Sequence, residues 1–495
     1  YVRALPPADD ATAQEVLAGF VQAGVGSEDD FAVARAYLTE EASASWDPEA
    51  RITIYSGSQE LQVREESEGR LVLGLQAVAV VDARGVRSAL AGPTPQELAV
   101  AVEEVDGQWR LSEVPDGIFL SEAAFETLYS PARLYFLDAR EQHLVPDHRW
   151  LPLRRGAAAV LEGLVAGPAG FLEGAVGSQI PRGSGIPDAE VESGADGTAQ
   201  VEVPPAITGL AEESRRLALS QLESSLRSLR SLSVVRLVQN GRELSLEEDG
   251  RVERALPGHR PIAAGATGVI SLADPSSADP PPQLVPDLAP LEIASPAIAQ
   301  DGVLAAARSL DGAQVLIAST DGSVPLREAA TGTGFVPPRI DGAGWVWSSV
   351  GSSAGALLAL SGRGAEHDAK VDAPWLAERE VRALDVAPDD TRMLVLSDEA
   401  GDGRLELCAV VRDAEGTPSA LTEPILVRTF LADVRQVSWY DEGTVAVLGT
   451  DPGDGQLRAQ LLDLSGDIEP LPSPPSDTVR LTGSVVAETV WAADA

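Results

Sequence analysis

The stretches VRALDVAPDDTRMLVLSD (381–398) and VRQVSWYDEGTVAVLGTD (434–451) decide the fold of the C-terminal half. Both open on Val-Arg, turn through an Asp-containing corner and return as an apolar run. Each is followed at a matching position by another strand-like run, GDGRLELCAVV (401–411) and GDGQLRAQLLD (453–463). Val479-Arg480 opens a further copy, so the three openings lie 53 and 45 residues apart. Looser copies come earlier, AIAQDGVLAAARSLDGAQVLIASTDG (297–322) and GAGWVWSSVGSSAGALLALSG (342–362). A period of about 40–50 residues with several strands per copy is the signature of propeller blades. Four partial copies precede the start of a fifth at Val479. A propeller closes into a ring to remove its sheet edges. The break at Ala495, mid-blade, therefore predicts either further residues or an incomplete ring. The strand-like segment IAAGATGVISL (262–272) is positioned to complete a blade from the N-terminal side.

Upstream of this all-β region the texture changes twice. Residues 1–127 read as one α+β domain. Helical spacing runs through Val16, Leu17, Phe20 and Val21 within Asp10–Val25, and a second helix is predicted from Glu28 to about Leu38. Strands are predicted at Arg51–Tyr55, Leu71–Val81, Leu98–Val105 and Gln108–Val114, the last two joined by Asp106-Gly107. Residues 131–247 read as a second α/β domain. It has a strand at Arg133–Asp138 and a helix from Gly156 to Ala166 that stops at Gly167-Pro168. A strand at Thr198–Val203 follows. The strongest helix of the chain, Glu212–Leu229, carries Leu219, Leu222, Leu226 and Leu229 on one face. A hairpin, Val234–Val238 and Arg242–Leu246, turns at Asn240-Gly241. The Pro-, Ser- and Asp-rich segment 271–290 is a linker or loose crossing strand. The propeller domain is assigned to 260–495, and the fold class is multi-domain: two α+β domains followed by an all-β propeller.

The chain has 495 residues, 44% of them hydrophobic, enough for several cores. Its 76 acidic and 37 basic residues give a net charge of −39. That charge repels a nucleic-acid backbone, so no nucleic-acid partner is expected. It also disfavours a bare anionic membrane surface. No run approaches the roughly 18 apolar residues of a spanning helix. Tyr1 is not an initiator Met, and no signal peptide is present, so processing or truncation at the front is expected. Lys370 is the only lysine. Cys408, the only cysteine, lies in an apolar run and is read as a buried structural thiol.

The motifs that carry chemistry elsewhere fail here on context. Gly351-Ser352-Ser353-Ala354-Gly355 matches G-x-S-x-G, but Ala356–Leu360 after it reads as a blade strand, where a hydrolase needs a helix. His367 and Asp368 follow too closely. A P-loop is excluded because Lys370 follows Ala369. His143 and His148, near Glu141 and Asp147, suggest a metal site, yet Pro146 breaks any helix that would align them, and they are read as surface-loop residues. The loops Asp398–Gly403 and Asp451–Gly455 are read as blade turns, not calcium sites. Trp345, Trp347, Trp375, Trp439 and Trp491 are read as blade packing. No catalytic, cofactor-binding or metal residue is assigned, no cofactor is expected, and the chain is read as non-enzymatic.

The three-part order resembles LpqB, a family of actinobacterial lipoproteins. ARAYLTEEASASWDPEA (34–50) and VDGQWRLSEVPDG (105–117) are similar to the family's N-terminal domain. LYFLDAREQHLVPDHRWLPLRRGAAAVLEGLVAGP (134–168), QIPRGSGI (179–186) and the helix-hairpin at 212–246 resemble a GerMN domain. The remainder fits the family's propeller. The resemblance implies anchoring to the outer face of the cell membrane through a lipidated cysteine, which this sequence lacks. It implies a partner, the ectodomain of an MtrB-like sensor histidine kinase that signals to the response regulator MtrA in envelope homeostasis. Cell-wall fragments or peptides are the alternative ligands, and a propeller hydrolase is the remotest reading.

Overall fold

A computed structural model describes residues 4–57, 61–67, 69–183, 191–193, 197–244, 252–256, 261–265, 268–272, 283–351, 353–363, 367–399, 401–486 and 488–493. The chain divides into two compact units, Tyr1–Ala132 with Arg149–Val160, and Arg133–His148 with Leu161–Ala495.

In the first unit, helix α1 (Ala13–Ala23) starts at a capping box. Thr12 Oγ1 accepts from Glu15 N at 3.2 Å, and the Glu15 carboxylate accepts from Thr12 N at 2.8 Å. Its buried face, Val16, Leu17, Phe20 and Val21, is the one the spacing predicts. Helix α2 (Ala32–Arg35) is shorter than expected. Asp29, Asp30 and Phe31 take left-handed φ values of 47°, 55° and 57°, which a helix starting at Glu28 cannot contain. Helix α3 (Glu40–Ser45) follows. The strands are β1 (Arg51–Tyr55), β2 (Gln62–Ser67), β3 (Arg70–Asp82), β4 (Arg87–Val105), β5 (Gln108–Glu113) and β6 (Ile118–Ser121). They form one sheet in the order β5-β4-β3-β1-β6, with β2 added on β3. Helix α4 (Glu122–Leu128) closes the domain.

The second unit takes its first strand from β7 (Tyr129–Leu137), beginning at Arg133, and the start of β8 (His143–Pro152). Strand β8 was not expected, because His143 and His148 read as surface-loop residues and Pro146 as a helix breaker. Two later strand pairs build a second sheet: β9 (Val191–Ser193) with β10 (Thr198–Glu202), and β11 (Val234–Gln239) with β12 (Arg242–Glu243), in the order β12-β11-β10-β9. The second arm of the Asn240-Gly241 hairpin is described only through Leu244; its remainder to Leu246 lies outside the described residues. Strand β13 (Glu253–Arg254) runs parallel to β8 at His143 and Leu144 only. From Val145 onward that side of β8 has no strand partner among the described residues, and a strand edge is where proline is tolerated. Helix α5 (Gly156–Ala166) ends at Gly167, whose φ of 95° supplies the left-handed stop. A short α6 (Pro205–Thr208) precedes α7 (Glu212–Arg227). Leu219, Leu222, Leu226 and Leu229 are buried as the spacing predicts.

The rest of the second unit is a set of consecutive antiparallel sheets. The first is the hairpin β14 (Ile262–Gly265) and β15 (Gly268–Ser271). Next come β16 (Ile293–Ile298), β17 (Leu304–Ser309), β18 (Gln314–Ser319) and β19 (Arg327–Thr331). The third sheet is β20 (Arg339–Ile340), β21 (Trp345–Ser349) and β22 (Leu357–Ser361). The fourth is β23 (Glu380–Val386), β24 (Arg392–Glu399), β25 (Asp402–Arg412), β26 (Pro418–Leu421) and β27 (Ile425–Leu426). The fifth is β28 (Ala432–Trp439), β29 (Thr444–Thr450), β30 (Leu457–Asp463) and β31 (Ile468–Pro470), and β32 (Arg480–Ser484) with β33 (Thr489–Ala493) follows. Each sheet pairs its strands in chain order, as blades do, except that β27 of the fourth pairs back on β25. The first strands pack on one another along the series β14, β16, β20, β23, β28 and β32. They are the inner strands of a propeller. Of segment 262–272, the described strands β14 and β15 form their own two-stranded sheet, and β14 packs on β16 as an inner strand.

Asp residues fold the turns. At Asp301, Asp311, Asp389, Asp441, Asp451 and Asp463 the carboxylate accepts from the backbone N–H two residues on, at 2.6–3.0 Å. These are Asx turns, so part of the acidic composition is turn chemistry.

Candidate interaction site

Helix α7 does more than bury leucines. Its opposite stripe, Gln221, Ser225 and Ser228, follows the edge of β7. Tyr135 N donates to Ser225 Oγ at 2.8 Å, Gln221 Nε2 donates to Tyr135 O at 3.0 Å, and Arg133 N donates to Ser228 Oγ at 2.8 Å. Side chains thus satisfy the edge of a strand that, among the described residues, has no further strand beside it and only a single bridge, Leu137 to Gly177. Tyr135 and Arg133 are held in register as a result, both pointing at the propeller turn Tyr440–Thr444.

Glu442 of that turn is buried, with a side chain 6% exposed. Its Oε1 accepts from Arg133 Nη1 at 3.0 Å, Tyr135 Oη at 2.7 Å and Arg254 Nη1 at 3.1 Å. Its Oε2 is buried with no hydrogen-bond partner. Arg133 also reaches Asp463, Nη2 to Oδ2, at 3.3 Å. Burial, then the Glu442 carboxylate, pushes the Tyr135 phenol up to about 12, so it stays a donor. From the other side Arg392, fully buried, donates through Nη2 to Glu442 O at 2.5 Å and pairs with Asp389 at 2.7 Å. Its guanidinium lies 4.8 Å from the centre of the Trp439 ring.

A second set of turns meets the tip of the β7–β8 hairpin. Arg140 Nη2 donates to Asp390 Oδ2 at 2.6 Å. Asp390 also accepts from Gly342 N at 2.5 Å. Beneath it, Asp341 takes Arg412 Nη2 at 2.5 Å and Trp347 Nε1 at 2.8 Å. Burial and the neighbouring Asp341 charge push Asp390 up to about 6. The turns after two inner strands, β23 and β28, therefore engage the domain that precedes the propeller through charges removed from water, and the turn after β20 braces Asp390 from within the propeller. Such pairs fix register and orientation more surely than they add stability.

The structure corrects the surface-loop reading of His143 and His148. Both lie on β8. His143 Nδ1 is 3.8 Å from Asp138 Oδ2, and that carboxylate holds the imidazole above its ordinary value. His148 packs on Gly443, where an added Cβ would stand 2.6 Å from the ring. Burial first, then Arg133 and Arg392, hold it well below its ordinary value, so it is neutral. The unfolded chain therefore takes up a proton at His148 before the folded one does. This stabilisation is complete above about pH 6.5 and is lost as pH falls below it. The sign is opposite for Asp390, whose raised value favours the folded state as pH falls. The expected result is seen by difference. Between pH 7 and 5 wild type should lose up to about 1.4 kcal/mol per pH unit relative to His148→Phe. Parallel stability–pH curves for the two proteins would refute it.

The remaining sequence candidates are placed as follows. Cys408 is fully buried, and burial pushes its thiol up. Ser353 is exposed in a bend, and strand β22 follows it, as read from sequence. Asp368 Oδ1 accepts from Ser361 N at 2.9 Å. Ser352 lies outside the described residues, as does Ala400 of the first Asp-Gly loop. Trp345, Trp347 and Trp439 are buried, with indole N–H groups on Gly416 O, Asp341 and Asp385 O; Trp375 and Trp491 are partly exposed. Among the described residues no three His, Cys, Asp or Glu side chains gather as metal ligands. No described helix is long and apolar enough to cross a membrane. The junction residues were missed from sequence because their partners lie 188–330 residues apart. The one available signal was the i, i+4, i+7 polar stripe on α7.

Comparison with known proteins was made on this framework. The family model described as "Lipoprotein LpqB, N-terminal domain" matches residues 6–126. The Germane model, described as "Sporulation and spore germination", matches 133–245. The model described as "Lipoprotein LpqB beta-propeller domain" matches 278–495. Lipoprotein LpqB of Cutibacterium acnes is 26% identical over 475 residues, covering 90% of this chain and 79% of that protein. Lipoprotein LpqB of Bifidobacterium longum is 25% identical over 481 residues, covering 93% and 80%. Among solved structures, the Cps50 (Swd1) propeller of Myceliophteria thermophila covers 48% of this chain and 93% of its own at 9% identity, with a TM-score of 0.31. That score is too low to bear on function. With an LpqB model at either end, a Germane model between them and LpqB relatives aligned along nine-tenths of its length, the chain belongs to the LpqB lipoprotein family.

Proposed function

We propose that this protein is a lipid-anchored accessory of a two-component sensor kinase, acting on the outer face of the cell membrane. The partner is the ectodomain of an MtrB-like kinase, and the process is envelope homeostasis. What carries the reading is the match of all three domains, in order, to chains named lipoproteins. The junction supports it: charges buried between the Germane domain and the propeller turns hold the two in one orientation, which suits a docking platform. In this reading the protein binds and does not catalyse. The test is co-purification of the lipidated full-length protein with its cognate kinase in mild detergent. Stoichiometric recovery is expected, and recovery no better than with an unrelated kinase would remove the reading.

A further inference from the structure

Buried charges in the second unit are generally matched. Asp341 has Arg412, Asp389 has Arg392, and Glu406 has Arg379. The centre of the propeller breaks this pattern. Arg480, first residue of β32, donates through Nη2 to Ser295 Oγ on β16. Arg308, on β17 opposite Ala294, donates through Nη1 to Phe335 O at 2.9 Å, and its Nε is buried without a partner. Arg339, on β20, is the third guanidinium. Burial first, then the charges of Arg339 and Arg308, bring Arg480 down to about 10. Only Arg339 has a counter-ion, Asp385, at 2.9 Å. Asp385 is already committed, since its other oxygen accepts from Trp439 N at 2.9 Å. Among the described residues neither Arg308 nor Arg480 has a carboxylate within ion-pair distance. In a chain with 76 acidic and 37 basic residues, two unmatched guanidinium groups in one place are against expectation. Both are partly exposed, so a ligand can reach them.

The backbone supplies an independent observation. Ser295 is buried and has a φ of 56°, at a bulge of β16 between Ala294 and Ala297. A left-handed serine in a strand is strained backbone that the surrounding structure must hold in place. A bulge re-aims a side chain, and here it aims the hydroxyl at Arg480. Arg480 opens its strand, so it lies at the end remote from the turns that engage the Germane domain.

We propose that this centre is a binding site for one phosphate or carboxylate group of an anionic ligand, gripped by Arg308 and Arg480 beside Ser295. Guanidinium forks match both oxyanions, and partial burial strengthens the attraction. The site is separate from the kinase reading and stands without it.

The test is calorimetric titration and thermal unfolding of the whole protein with sodium phosphate and with citrate, against chloride at equal ionic strength. Wild type is expected to bind at least one of the two and to melt higher in it. A response to phosphate alone assigns a phosphoryl ligand; a response to citrate alone assigns a carboxylate. Arg480→Gln and Arg308→Gln should each weaken binding at least about tenfold. Arg64→Gln, an exposed arginine of the first unit, should leave it unchanged. Without anion, Arg480→Gln should melt no lower than wild type, because like-charge repulsion is relieved. If it proves too unstable to titrate, Arg480→Lys keeps the charge, loses the fork and should bind more weakly than wild type. Absence of any wild-type response, or an equal response in every variant, would overturn the proposal. So would an Arg480 variant that melts lower yet binds as tightly.

Discussion

Asp341→Ala is expected to cost the second unit about 3–5 kcal/mol, read as denaturant or thermal unfolding. The side chain is 0% exposed, and that of its partner Arg412 is 4% exposed. One oxygen holds Arg412 Nη2 at 2.5 Å and Trp347 Nε1 at 2.8 Å; the other accepts from Trp345 N at 2.8 Å. Truncation strands a buried guanidinium and two N–H donors at once. Arg412 keeps its bonds to Asp390 O and Gly416 O, which neutralise no charge. Asp341→Asn keeps only one of the two acceptor oxygens and turns its NH2 toward a donor, so it should still cost about 1–3 kcal/mol. A second effect separates electrostatics from packing. Asp390 stands at about 6 through burial and through the Asp341 charge. In Asp341→Asn its value should fall toward the ordinary carboxylate range, visible by carboxyl-carbon NMR titration. An unchanged Asp390 midpoint, or a loss below about 1 kcal/mol in Asp341→Ala, would sink the account.

The blades were legible because their signal is local. Val381-Arg382 and Val434-Arg435 mark β23 and β28 through alternation and an Asp turn, all within 18 residues. The leucine face of α7 was legible for the same reason. What those turns do was not. Asp390 and Glu442 have the sequence of ordinary hairpin corners, and nothing near them names Arg140, Arg133 or Tyr135 as partners. The histidines show the complementary failure. Pro146 reads as breaking a helix and the two histidines as loop residues, yet the segment is a strand, and among the described residues it is flanked by β13 only as far as Leu144, which accommodates the proline. His148 is half-buried because β8 faces Gly443, a contact that depends on tertiary docking and leaves no periodic trace. The propeller centre was hidden too, since Arg308, Arg339 and Arg480 belong to three different blades. Uniform interspersion of Arg along an acidic chain conceals which of them lack a counter-ion.

Glu442→Ala is expected to be the most damaging change at the Germane–propeller junction, costing about 3 kcal/mol. Three donors converge on its Oε1, and removing it leaves the phenol of Tyr135 without that acceptor and the partly buried Arg133 with only Asp463 at 3.3 Å. The cost stays at the low end of the range for a broken buried pair because Arg254 is 57% exposed and water can replace its contact. Glu442→Gln keeps an acceptor without the charge and should lose about half as much. In a double-mutant cycle with Arg133→Ala the coupling should exceed about 1 kcal/mol, since the two side chains touch. The location of the loosening discriminates further. If Glu442 locks the junction, amide exchange should rise first at Arg133 and Tyr135 and in the Tyr440–Thr444 turn, while β24 and β25 stay protected. Uniform acceleration across the propeller would instead mean that Glu442 supports its own blade. Additive single mutants would deny the pair any joint role. Localised opening would give the buried charges a purpose that their modest net stabilisation does not: holding two domains in one orientation.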